Sequence, residues 1–460
     1  MHRRFILPAV FAALLSLAPL PALAVPGSQG LGFDDAMNAF NYGDNGLAAR
    51  ILWPLAVTDA DPRAQYYLAY LLDTGQGVGK DVSAAINWYR KSAAQDYLPA
   101  VVYMGYIYNA GHGVVRDDKE AFRWYVKGAQ MGDAVAQNNL ATMLRAGHPY
   151  KRDAALAAQW FLQSAMQGNM RAQYNLATLY RNGDGAPRNL KEAVRWYTYA
   201  ANQGDMYAQN ALAYMYRNGE GVEKNESAAL DWYRRAAEQG HVPSQYTIAV
   251  MYEKGEGDPT KGPSDAALWY FHAAQRGLDR AQYRLAQLYE NGLGLQKDYA
   301  EALKWYRKDA DVNRYAPAMT ALGRLYENGF GVPADAAKAR QWYTKAASLG
   351  EGDAQAELAR MYRDGKGGDK DLILAYQWFA LAANAMDGEA KAAAAIARIQ
   401  VSNMLTPEQQ AAARANVAAW KPLVPYNNNG PAGKKADGYE DISARGAPDA
   451  AAGAKTGSVN

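Results

Sequence analysis

The chain contains no cysteine in its 460 residues. That absence excludes disulfides, thiol nucleophiles and thiolate metal ligands together, and leaves packing alone to hold the fold. Histidine is scarce as well: there are five, and neither a His-Glu-x-x-His run nor a Ser, His and acid trio is set up. Charge of one sign is missing too. With 49 Lys and Arg against 46 Asp and Glu, the net +3 is too small a field for binding nucleic acid through counterion release. Past the N-terminus, no stretch approaches the roughly 18 consecutive apolar residues of a membrane span. The class left standing is a non-catalytic binding protein, with no metal, cofactor, nucleic acid or stable membrane insertion expected.

What is present is a ruler. Trp88, Trp124, Trp160, Trp196 and Trp232 stand 36 residues apart, and Trp269, Trp305, Trp342 and Trp378 continue at 37, 36, 37 and 36. A fixed period of this length marks an array of small units, each unable to bury its apolar face alone. Such stacks expose a long binding surface instead of a deep catalytic pocket.

One unit, Met170 to Asp205, shows how the period works. Ala172, Gln173, Leu176, Ala177 and Tyr180 fall on one helical face, and Gly183 and Gly185 end that helix. After Pro187 a second run places Ala193, Trp196, Tyr197, Ala200 and Ala201 on one face and stops at Gly204. We refer to these as helix A and helix B. The alanines let neighbouring backbones approach, and the expected large knobs between them are Trp196 and Tyr180.

The repeated pattern reads Ala-x-x-x-Leu-Gly/Ala-x-x-Tyr-x-x-Gly-x-Gly-Val, an acidic residue, then Ala-x-x-Trp-Tyr-x-x-Ala-Ala-x-x-Gly. It resembles the Sel1-like repeat, a relative of the 34-residue tetratricopeptide unit. The resemblance implies an all-α fold, a right-handed α-solenoid superhelix of helix-turn-helix repeats of about 36 residues. Nine units are recognisable over residues 61–387. Residues 25–60 read as a truncated helix pair capping one end, and residues 388–421 as capping helices at the other. Three places depart from the pattern: Gly147-His148-Pro149-Tyr150 breaks a Gly-x-Gly turn, Gly255 to Ser264 is one residue longer, and Asp311 to Pro317 replaces a Gly helix end.

The termini read differently. Met1-His2-Arg3-Arg4, the apolar run Phe5 to Leu20 and Ala22-Leu23-Ala24 form a positive region, an apolar core and a small-x-small cleavage site, so residues 1–24 are expected to be a cleaved signal peptide. A periplasmic protein is the expected product. Residues 422–460 are rich in Gly, Ala, Pro, Asn, Lys and Asp and are expected to be a disordered tail.

Numbering helix A so that Leu176 is place 7, places 3, 4, 7, 8 and 11 form the buried arc and places 2, 5, 9 and 12 the opposite stripe. By resemblance to tetratricopeptide arrays, helix A lines the concave surface, so this stripe is the candidate groove. Place 12 carries Arg145, Arg181 and Arg217, then Glu253, Glu290 and Glu327, then Arg363, which predicts a basic patch followed by an acidic one. Place 5 carries Tyr66, Tyr174, Tyr246 and Tyr283, and place 9 Tyr70, Tyr106 and Tyr214. Tyrosine suits recognition of an extended peptide or a sugar chain, although the same rings could complete the core between units.

The residual chemistry is thin. His112 and His148 lie one period apart in the same turn, which makes a poor metal site without carboxylates. Paired acids such as Asp117-Asp118 sit where helix starts need caps. Periplasmic proteins with such repeats serve, by the family's implication, as scaffolds or regulators in envelope assemblies, including signalling and exopolysaccharide production. The expected function is therefore a periplasmic adaptor binding partner proteins through its concave surface. The alternative is a peptidoglycan- or exopolysaccharide-binding protein of the cell envelope. The β-lactam hydrolysis associated with cysteine-rich relatives does not carry over, since this chain has no cysteine and no Ser-x-x-Lys with its partner motifs.

Overall fold

The computed structural model describes residues 30–423, so the leader expected over residues 1–24 and all but the first two residues of the expected tail lie outside the described residues. Among those residues the fold is all-α: twenty-two α-helices, one π-helical turn and no strand. They fall into two compact units, residues 30–143 with 147–151, and residues 144–146 with 152–423. The boundary falls inside helix Ala134–Ala146, beside the broken Gly147 to Tyr150 turn, which holds a cis His148–Pro149 bond.

The first unit opens on two helices, Phe33–Asn41 and Asn45–Val57, and continues with the pairs Pro62–Thr74 and Val82–Ala94, then Leu98–Ala110 and Asp118–Gln130. The second runs from Ala154–Met166 to Pro407–Ala419, its pairs ending with Gly352–Asp364 and Leu372–Ala385, followed by Gly388–Ser402 and Pro407–Ala419. The Asp311 to Pro317 departure becomes a π-helical turn, Asp309–Asn313, closed by Arg314 at φ 53°.

Short polar residues start the helices. Asn169 accepts from the Ala172 N–H to open helix A of its repeat, and Asn189 from the Glu192 N–H to open helix B, each satisfying an amide the helix leaves unpaired. Gly183 ends helix A in the left-handed region, φ 70°. Gly185 has a second job: besides its φ of 79°, a Cβ there would collide with the Ala154 carbonyl, because the turn lies against the start of the preceding helix B. The Gly-x-Gly pair is therefore a helix stop followed by an inter-repeat contact.

The packing corrects one expectation about the aromatic ruler. Trp196 and Trp378 are buried, each 8% exposed, but the other ruler indoles are only half-buried. The fully buried knob is the residue after seven of the nine ruler tryptophans, since Tyr89, Tyr125, Phe161, Tyr197, Tyr270, Tyr306 and Tyr343 are all among the largest enclosed side chains, and Tyr233 and Phe379 are buried as well. Consecutive helical residues sit 100° apart, so only one of the pair can point at the neighbouring helix. The indole lies at the margin, where a cation three residues on often covers it, as Arg235 does Trp232 at 4.4 Å and Lys345 does Trp342 at 4.0 Å. Tyr180, the other expected knob, is also only half-buried.

A buried glutamine at place 4 ties most repeats to the one before, the exceptions being Val101 and Met319. Gln173 Nε2 donates to the Ala165 carbonyl at 3.2 Å, Gln209 to Ala201 at 3.1 Å, Gln245 to Ala237 at 3.1 Å and Gln282 to Ala274 at 3.0 Å, each satisfying a carbonyl near the end of helix B.

Candidate partner-binding face

All ten predicted groove residues belong to the second unit, and the structure shows what each already touches. The acidic half of the place-12 column is not a bare patch. Glu253 accepts from the Tyr270 hydroxyl of its own repeat at 2.6 Å and from Arg284 of the next at 2.9 Å. Glu290, itself buried, repeats this with Tyr306 at 2.8 Å and Arg324 at 2.8 Å, and Glu327 with Tyr343 at 3.1 Å and Arg360 at 2.5 Å. Burial and then the carboxylate that each one meets push these three phenols well above their ordinary pKa. Burial acts against the Glu327 carboxylate, but Arg360 and Lys366 outweigh it and hold Glu327 below the usual range.

The basic half is engaged in a related way. Arg181 donates to Glu220 at 3.1 Å and Arg217 to Glu256 at 2.6 Å, both partners lying 39 residues further along the chain in the turn of the next repeat. Lys366 reaches back to Glu327 across the same interval at 2.8 Å with the signs exchanged. In the first unit Asp73 and His112 make the equivalent contact at 2.7 Å. At Asp73, Arg181, Arg217 and Glu327 place 12 thus clasps place 15 of the following repeat, while Glu253 and Glu290 hold an arginine of the next helix A, so the expected run of one sign then the other is a series of inter-repeat ion pairs. Sequence reasoning saw the column and missed its complement, although opposite signs at a 39-residue interval are visible to a search for pairs. Arg145, at the start of the second unit, is half-buried and its carbonyl accepts from Arg152 at 2.9 Å.

The tyrosines divide. At place 5, Tyr174, Tyr246 and Tyr283 lie tilted or edge-on to the buried tyrosine of their own helix B, with centroids 5.7, 5.5 and 5.6 Å apart, so these rings finish the core. Burial raises the Tyr246 and Tyr283 phenols above their ordinary value. At place 9, Tyr214 lies under the Arg181 guanidinium at 4.6 Å. In the first unit Tyr66 meets Tyr89 at 5.5 Å, Tyr70 meets Phe40 at 5.8 Å and Tyr106 stacks beside His112 at 6.2 Å.

The stripe becomes a surface feature in the last repeats. Pro317, Thr320, Arg324 and Glu327 occupy places 2, 5, 9 and 12 of helix Ala316–Asn328 and line a cleft of about 940 Å³. Asp353, Ala356, Arg360 and Arg363 occupy the same four places of helix Gly352–Asp364 in the same cleft. The lining mixes carboxylate, guanidinium, hydroxyl and methyl groups, which suits many weak contacts better than chemistry on a bound molecule.

Elsewhere the titratable groups read as structural. His112 and His148 do not meet: one contacts Asp73 at 2.7 Å and the other Asp118 at 2.5 Å. Asp117 caps its helix through the Lys119 and Glu120 amides. Among the described residues no group of three or more His, Asp or Glu could hold a metal ion, and no helix is long and apolar enough to cross a membrane.

Paired helices repeated in register define an all-α repeat solenoid. The chain belongs to the Sel1 repeat family, whose profile matches nine times, at residues 62–97, 98–133, 134–169, 171–205, 207–241, 242–278, 279–311, 316–351 and 352–385. Among solved structures it is similar to a Sel1 repeat protein from Oxalobacter formigenes, with 26% identity over 75% of this chain and 94% of that one and a TM-score of 0.54. It is also similar to a protective antigen present in uropathogenic Escherichia coli strains displaying an SLR fold, with 27% identity over 85% of this chain and 94% of that one and a TM-score of 0.45. No curated protein matches it. Proteins built from Sel1 repeats are typically protein-interaction scaffolds.

Proposed function

We propose that this chain is an exported, non-catalytic scaffold of the bacterial envelope that holds partner proteins along the helix-A face of its repeats. The observation that carries the reading is the helix-A stripe of the last repeats, where Pro317, Thr320 and Arg324 with Asp353, Ala356 and Arg360 line one cleft. The tilted and edge-on tyrosines support protein over saccharide, since a sugar ring stacks on an open aromatic face and the place-5 rings are turned into the core.

Reversing Arg181 and Arg217 would break two clasps along with any partner contact, so place 2, where Pro243 is exposed and Pro317 lines the cleft, gives the cleaner test. Envelope proteins co-purified by the full chain are compared with those held by Pro243→Arg with Pro317→Arg. A folded variant is expected to lose the main partner at least tenfold, and unchanged capture would remove the helix-A face from the reading. Export is tested by fusing residues 1–30 to a reporter active only outside the cytoplasm. Activity is expected, and its absence would contradict the periplasmic assignment.

A further inference from the structure

We infer that the cleft at the end of the second unit docks an extended peptide segment bearing one basic and one acidic residue about four or five positions apart, with small side chains between them. The inference rests on the scaffold reading above and specifies the chemistry a partner presents at this site.

The first support is shape. The wall of the cleft facing the repeats is formed by Ala390, Ala393, Ala394 and Ala397 of helix Gly388–Ser402. These positions share one helical face, and methyl side chains let another backbone approach closely while offering nothing for a large side chain to pair with.

The second support is the sorting of charge along helix Gly352–Asp364. Asp353 and Glu357 stand in its first half, Arg360 and Arg363 in its second, and Lys366 follows in the turn, all lining the cleft. Asp353 and Arg363 are ten residues apart, about 15 Å along a helix at roughly 1.5 Å per residue. An extended chain covers that span in four or five residues at about 3.3 Å each. Glu357 is bridged to Arg360 at 2.8 Å, and Arg360 and Lys366 share Glu327 of the same cleft, so a polyanion would meet Asp353 at one end and a polycation Arg363 with the surplus cation at the other. Only a segment carrying both signs, with the basic residue toward Asp353, matches both ends.

The third support is what each end has to spare. Glu351, behind Asp353, is already used: it accepts from the Thr320 hydroxyl at 2.9 Å and from the Ala354 amide at 2.6 Å. Asp353 is exposed at the mouth with Glu351 and the Tyr283 ring beside the same cleft, so a ligand cation meets excess negative charge there. At the other end Arg363 pairs with Asp364 at 2.7 Å, an exposed pair of the kind that contributes little and that a ligand carboxylate can displace.

The test is selection of a random heptapeptide library displayed on phage against the full chain, followed by fluorescence anisotropy with the enriched peptides. Enriched sequences are expected to share a basic and an acidic residue at the stated interval. Their affinity is expected to fall at least tenfold both in Asp353→Lys and in Ala393→Phe, each checked for an unchanged melting curve. A peptide with its basic residue replaced by Glu is expected to recover binding to Asp353→Lys. Enriched peptides without the charge pair, or binding that both folded variants leave unchanged, would overturn the cleft while leaving the scaffold reading in place. A library that gives no binder would count against both.

Discussion

At the residue scale, a one-position offset decides which aromatic carries the core. Tyr197 is wholly enclosed, whereas Trp232, at the ruler position of the next repeat, is half-buried beneath Arg235. Tyr197→Ala is therefore expected to cost about 3–5 kcal/mol in urea denaturation, and Trp232→Ala clearly less. Equal losses would mean the two rings share the load. A second residue gives a pH signature. His241 stands where the three preceding repeats use Asp133, Asn169 and Asp205 to cap helix A, its Nδ1 at 2.8 Å from the Ser244 hydroxyl and accepting from the Ser244 amide. Burial pulls this histidine down to about 4. Its folded pKa lies below the unfolded one, so the unfolded chain binds the extra proton between about pH 6.5 and 4, and stability falls as pH falls through that window, by about 3 kcal/mol in full. His241→Asp, which restores the ordinary cap, is expected to flatten this dependence in melts run from pH 7 to 4. An unchanged slope would place the titration elsewhere.

At the scale of elements, helices and turns were legible because their signals are local. Asn169 with Gly183 and Asn189 with Gly204 bracket two helices in one 36-residue window, and the structure ends them there. Contacts between repeats were not legible in the same way. Arg181 and Glu220 are 39 residues apart, so each looked like a solvated charge until the next repeat was laid against it. Gln173 likewise read as one more residue on a helical face, and its partner is a backbone carbonyl, which no side-chain pattern reveals. The clasp is measurable by a double-mutant cycle on Arg217→Ala and Glu256→Ala. Both side chains are about three-quarters covered, 25% and 24% exposed, so a coupling on the order of 1 kcal/mol is expected, shrinking as salt rises. Additive losses would mean that the pair is incidental to stacking.

At the scale of the molecule, the same period that builds the core also divides the surface. Helix B presents half-buried indoles covered by cations, and helix A presents exposed residues at place 2, among them Pro243 and Asp353. The place-12 column was thus legible as a set of positions but not as ion pairs, because a sequence gives the sign of a side chain and not its partner. The most direct measurement is photo-crosslinking in intact cells, with p-benzoylphenylalanine placed at the exposed Pro243 on the helix-A stripe or at the exposed Glu238 of helix B. Partner adducts from Pro243 and none from Glu238 are predicted. Adducts from Glu238 alone would contradict the account.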